Sequence, residues 1–196
     1  MKKTTIFELC ASALMTALVS VLGPIAFPIG PVPVSLTILP LLISVWLLGL
    51  RGSLATAGLY LLLGAFGLPV FSGYQGGFHK LAGPTGGYLI GFLFMVLIAG
   101  LFMRLFHHKI LPSIAGCVLG VLAAYLFGTV WFMILMHCGL AYALSACVLP
   151  FIPFDLAKIA LSALIGIPVR NALKKAALLP SIERSPYGRD EAPEKE

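Results

Sequence analysis

The chain has 196 residues, of which 60% are hydrophobic and only 10% charged, and its net charge is +6. A soluble domain needs roughly a quarter of its residues charged to cover its surface, so a water-facing shell is excluded and lipid must solvate most of this chain. The basic residues sit singly or in pairs at the ends of apolar runs, which marks topology anchors and excludes a nucleic-acid patch.

Hydrocarbon offers backbone groups no outside partner, so spans must be helices or a closed barrel. A barrel would show short alternating segments; here the apolar runs are long and continuous, so helices are expected. Each crossing needs about 20 residues at ~1.5 Å rise. The first expected span covers residues 6–22 and stops at Gly23-Pro24. Met1-Lys2-Lys3 imitates a secretory leader, but Glu8 interrupts the run and further spans follow, so a retained helix is expected. Residues 23–36, with Pro24, Pro28, Pro31 and Pro33, are too broken to be helical.

Arg51 between glycines, in Gly49-Leu50-Arg51-Gly52, marks a turn that splits the next stretch into spans 37–50 and 53–68. The former is short for a crossing. Residues 69–84 form a glycine-rich loop, and a span over 86–106 is closed by His107-His108-Lys109, whose histidines read as solvated helix-end caps. The span over 111–137 is long enough to tilt. Residues 139–153 read as a short helix with a re-entrant turn at Pro150 and Pro153, and 154–173 is the last span, followed by Lys174-Lys175. Residues 1–179 are thus one membrane domain, and the charged stretch 180–196 is expected to be a disordered cytoplasmic tail.

Six spans place both termini on one side. With the N-terminus inside, the inner ends carry Lys2, Lys3, Arg51, Arg104, Lys109, Arg170, Lys174 and Lys175, while the outer side carries Lys80 and Lys158. That asymmetry predicts N-in, C-in. The expected architecture is an all-α integral membrane protein, six transmembrane helices in one bundle, with irregular outer loops over a ligand pocket. Gly116, Gly120, Ala124 and Gly128 form a small-residue stripe suited to close packing inside the bundle. Ala13 and Ala17 form a shorter one, suited to internal packing or to docking a separate subunit. Cys10, Cys117, Cys138 and Cys147 lie in apolar segments without metal-ligand spacing and read as packing.

Between Glu8 and Glu183 the one acidic residue is Asp155, and Lys158 follows three positions later on the same helix face. An ion pair at this depth costs several kcal/mol of desolvation unless satisfied. It serves either as a lock between helices or as a binding site, and the second reading is favoured because Asp155 falls in a first helical turn, where the dipole helps hold the anion. Phe27, Phe71, Tyr74, Phe78, Tyr88, Phe151 and Phe154 cluster in the outer segments, where half are expected to serve as an interfacial belt and others, beside polar Gln75, suit an apolar pocket with few polar anchors. His79 and His137 are further candidates to line it. The sequence holds no HExxH, no GxSxG and no P-loop lysine after Gly83-Pro84-Thr85-Gly86-Gly87. No enzyme activity, cofactor or metal is expected, and ATP hydrolysis would come from a partner.

Pro31-Val32-Pro33-Val34-Ser35, the run 48–52, the run 64–71, Gly83-Pro84-Thr85-Gly86-Gly87-Tyr88-Leu89 and Pro150-Phe151-Ile152-Pro153-Phe154-Asp155-Leu156-Ala157-Lys158 together resemble the BioY family. These are biotin-binding subunits of energy-coupling-factor (ECF) transporters, and the resemblance covers nearly all but the tail. It implies six helices that take biotin from outside, then topple to deliver it to a transmembrane coupling subunit driven by two ATPase subunits. It assigns biotin contacts to Asp155 and Lys158, with Tyr88 and the loop before it, including Gln75, as weaker carry-overs, and coupling-subunit docking to Ala13 and Ala17. The chain departs from the family at Phe154, where a glycine is usual and the pocket is expected to tighten, and at Thr37, which replaces a common glutamine. Alternatives are a stand-alone proton-coupled transporter and a sister subunit for another vitamin; a homodimer is left open.

Overall fold

The computed structural model describes residues 3–27 and 32–176, which form seven helices and one two-stranded ribbon. Expectations for Lys2, Pro28, Pro31 and the 180–196 tail lie outside the described residues. The helices are α1 (Lys3–Leu22), α2 (Ile38–Ala65), α3 (Phe78–Ala82), α4 (Gly86–Leu105), α5 (Ile110–Met136), α6 (Leu140–Cys147) and α7 (Ile152–Lys175). Four of them, α2, α4, α5 and α7, are long and apolar enough to cross a membrane, and α1 contributes a shorter apolar stretch, Ile6–Leu22. The chain is a helical membrane protein.

The described residues of the proline-rich segment, 23–27 and 32–36, are not helical, and they carry order that proline spacing does not announce. Strands β1 (Ala26–Phe27) and β2 (Val34–Ser35) pair antiparallel, Ala26 with Ser35 and Phe27 with Val34. The loop 69–84, expected to be irregular, contains α3.

The break in α2 falls at Gly49, the first residue of the expected turn Gly49-Leu50-Arg51-Gly52. Gly49 has φ 64° and ψ −163°, a region that costs a side chain and is free to glycine. Neighbours on either side show that the chain reverses there. Ser35, just before α2, lies against Lys158 near the start of α7, and Trp46 meets Gly166 and Arg170 further along it. Past Gly49, Gly52 and Thr56 face Ser12 and Thr16 of α1, and Tyr60 and Gly64 lie under Val70 and Phe71. Both ends of α2 therefore sit at one end of the bundle and Gly49 at the other.

The α5 stripe packs inside the bundle as its spacing predicts. A Cβ on Gly120 would lie 2.6 Å from the Met95 carbonyl oxygen, and one on Gly128 would run into the Tyr88 ring. Gly91 of α4 meets Ala124 in the same way. Small side chains let the two backbones approach, which is how dispersion holds helices together when the solvent is itself apolar. Hydroxyls in this setting return to their own helix: Thr16 donates to the Ser12 carbonyl at 2.8 Å and Thr56 to that of Gly52 at 2.9 Å.

At the Gly49 end, Arg170 is 9% exposed, donates to the Trp46 carbonyl at 3.3 Å and meets His108 Nδ1. His108 is half-buried by that contact and is not a solvated cap. The α1 face carrying Ser12, Met15, Thr16 and Val19 is buried, whereas Ala13 and Ala17 are exposed, so internal packing does not explain the second stripe.

Candidate functional site

The end of the bundle opposite Gly49 holds a cleft with about 570 Å³ of atom-free space, its mouth included. The β2 segment supplies Val34 and Ser35, α2 supplies Ile38, α4 supplies Tyr88, Leu89 and Phe92, α5 supplies Ala124 and Tyr125, and Asp155 and Lys158 come from α7. The fold converges five separate stretches of chain on it.

Pro153 occupies the first turn of α7, where its missing N–H costs nothing, and Asp155 follows with its own N–H donating to the Phe151 carbonyl at 2.8 Å. Its side chain is held from two directions. Lys158 Nζ donates to Oδ1 at 2.8 Å, and the Tyr125 hydroxyl donates to Oδ2 at 2.5 Å. Lys158 also donates to the Ser35 carbonyl at 2.8 Å. Asp155 is 3% exposed and Lys158 7%. The pair thus locks α7 to α5 and to β2.

Locking does not exhaust it. An ammonium has three N–H donors, of which two are engaged among the described residues, and each carboxylate oxygen keeps a lone pair beyond its one bond. Both side chains line the cleft. The arrangement is neutral as a whole, so it persists in a low-dielectric site, yet it offers one donor and acceptor capacity to an occupant. It can bind a polar head.

Tyr88 and Phe151 line the same cleft, in edge contact with centroids 6.4 Å apart. The Tyr88 hydroxyl donates to the Cys147 carbonyl at 3.1 Å, which ties α4 to the end of α6. Phe71 and Gln75 are placed elsewhere. Phe71 is fully buried against Gly64 and edge-on to Tyr60, and Gln75 is exposed. The two bridge through their backbones around Gly73 and Tyr74, both at positive φ, and that reversal turns Gln75 outward; Ser72 is the loop residue that reaches the cleft.

Phe154 is 46% exposed and does not line the cleft, so it does not tighten it. One residue before Asp155, it is rotated about 100° around the helix, away from the cleft. His79 and His137 are exposed and outside the lining as well. Thr37 is buried, lines the cleft and shares a 2.9 Å hydrogen bond with Ser35 Oγ.

Tyr125, the Ser35 carbonyl and Thr85 are site groups that sequence reasoning misses. Tyr125 carries a usable signal: a tyrosine inside an apolar span must find a partner for its hydroxyl. A backbone carbonyl has none.

Comparison with known proteins agrees with this architecture. The sequence pattern of the BioY family matches residues 1–175. The chain is 37% identical over 168 residues to the "Biotin transporter BioY" of Thermotoga maritima, covering 84% of this chain and 96% of that protein. It is 34% identical over 173 residues to the "Biotin transporter BioY2" of Lactococcus lactis, covering 88% and 95%. Its fold matches a crystal structure of the S-component for biotin from an ECF-type ABC transporter with a TM-score of 0.82 and 30% identity, over 87% of this chain and 94% of that one.

Proposed function

The chain belongs to the BioY family, and from that premise we propose that it is the biotin-binding subunit of an ECF-type uptake transporter in the cell membrane. One observation carries the reading: a buried, neutral Asp155–Lys158 pair with unspent hydrogen-bonding capacity opens on a mostly apolar cleft. Biotin presents a ureido group with two N–H donors and one carbonyl, an apolar thioether ring and a carboxylate. Asp155 accepts a ureido N–H, Lys158 gives its third N–H to the ureido oxygen, and Tyr88, Phe92 and Phe151 cover the ring.

Six crossings build the subunit, namely α1, the two halves of α2, α4, α5 and α7, with both termini inside. The positive-charge asymmetry supports that orientation, which puts the cleft at the outer face. Exposed Ala13 and Ala17 offer the coupling subunit a flat surface on α1, and two ATPase subunits supply the hydrolysis for which this chain has no motif.

Labelled-biotin binding to the purified chain tests the site. Asp155→Asn keeps the shape and removes the charge that strengthens its bonds, worth about 1.5–3 kcal/mol, so affinity should fall about 10- to 100-fold. Unchanged affinity in this variant would end the assignment.

A further inference from the structure

The polar wall of the cleft largely satisfies itself. Ser35 and Thr37 share a hydrogen bond, Tyr88 donates to the Cys147 carbonyl, and Tyr125 donates to Asp155. Thr85 differs. It lines the cleft, it is only 8% exposed, and its buried Oγ1 has no hydrogen-bond partner among the described residues. The residue stands at the N-cap of the 20-residue α4, where a threonine hydroxyl ordinarily bonds a free N–H of the first turn, yet it makes no such bond. A buried hydroxyl left unpaired destabilises the fold, so neither capping nor packing accounts for it. Thr85 lines the cleft, so an occupant that reaches this wall can supply the missing partner.

Its surroundings are built to hold it in place. A Cβ on Gly86 would collide with the Leu81 carbonyl oxygen, and one on Gly87 with Trp131 Cβ. Trp131 Nε1 donates to the Gly83 carbonyl at 3.0 Å. The turn before α4 is thereby clamped between α3 and α5. The N-terminus of α4 carries the positive end of the helix dipole, which favours an anion.

Asp155 and Lys158 together are neutral and suit a ureido head, which leaves the charged tail of such a ligand without a station. We propose that the Thr85 hydroxyl, with the N-terminus of α4, receives the ligand's carboxylate. This assignment rests on the biotin reading above and adds to it a residue that sets the preference for the free acid.

The test is competition against labelled biotin on the purified full-length chain by unlabelled biotin and by biotin methyl ester, which keeps the ring and loses the charge. Wild type should prefer biotin to the ester by about tenfold, the effect of one hydrogen bond to a charged group. Thr85→Val should lose about tenfold in biotin affinity and less than about twofold in ester affinity, while Thr85→Ser retains both. The melting temperature of Thr85→Val should be unchanged or higher, because no cap bond is lost. Equal losses for acid and ester in Thr85→Val, or no loss for either, would overturn the proposal. So would a wild type that binds acid and ester alike, a result that leaves the biotin reading standing. A wild type that binds no biotin removes that reading, and this assignment with it.

Discussion

Replacing Lys158 with methionine keeps most of the stem's volume and removes the ammonium. Asp155, 3% exposed, then retains the Tyr125 hydroxyl and loses its 2.8 Å bond to Nζ. The Ser35 carbonyl loses its donor at the same moment. Breaking a buried pair by removing one member costs about 3–5 kcal/mol, because the remaining charge stays desolvated. The double variant Asp155→Asn with Lys158→Met leaves no charge at either position of the pair, and Tyr125 can still donate to the amide oxygen. Its loss of stability should therefore be smaller than that of Lys158→Met alone, with a coupling of about 2 kcal/mol across the cycle. Unfolding of the four detergent-solubilised proteins, followed by thermal or SDS titration, measures this. Additive losses, with a coupling under about 0.5 kcal/mol, would refute the reasoning, since they would mean that neither charge depends on the other.

Tyr125→Phe deletes one bond to Asp155 and should weaken biotin binding about tenfold with the fold intact; undiminished affinity would show that the hydroxyl does not orient the carboxylate. Gly120→Leu must push against the Met95 backbone, not a flexible side chain, so the purified yield of folded protein should collapse, and a normal melting curve would contradict the α4–α5 packing. Ala17→Leu on the exposed face of α1 should leave biotin binding to the isolated chain unchanged and abolish uptake in cells that supply the coupling and ATPase subunits. Uptake at the wild-type rate would remove Ala17 from the docking surface. Phe154→Ala should change affinity less than about twofold, because that ring faces away from the cleft.

Much of the bundle is legible in the sequence because lipid imposes simple rules. The α5 stripe announces its packing, since four small residues at one helical spacing leave a flat ridge whatever the neighbour is. Asp155 and Lys158 stand out because a lipid-embedded charge needs a reason. Sequence reasoning finds the turn in α2 within Gly49-Leu50-Arg51-Gly52 but ends the first span one residue past Gly49, because composition does not say which glycine takes the dihedral angles that reverse the chain. Phe71 and Gln75 escape placement, because side-chain direction in the loop depends on positive φ at Gly73 and Tyr74, and a tyrosine gives no warning of that. The Ser35 carbonyl is invisible for another reason: every residue has one, and three-dimensional proximity alone selects it.

The bond from Lys158 to Ser35 joins residues 123 positions apart, so one wall of the cleft comes from early in the chain and the adjoining wall from α7. During synthesis the cavity cannot exist until α7 has entered the bilayer and docked, and an occupant then stabilises the complete topology over any partly inserted one by RT ln(1 + [L]/Kd). Cells growing with abundant vitamin would therefore accumulate more of this protein in its finished form, and ligand supplied during expression should rescue assembly-impaired variants that retain the cleft.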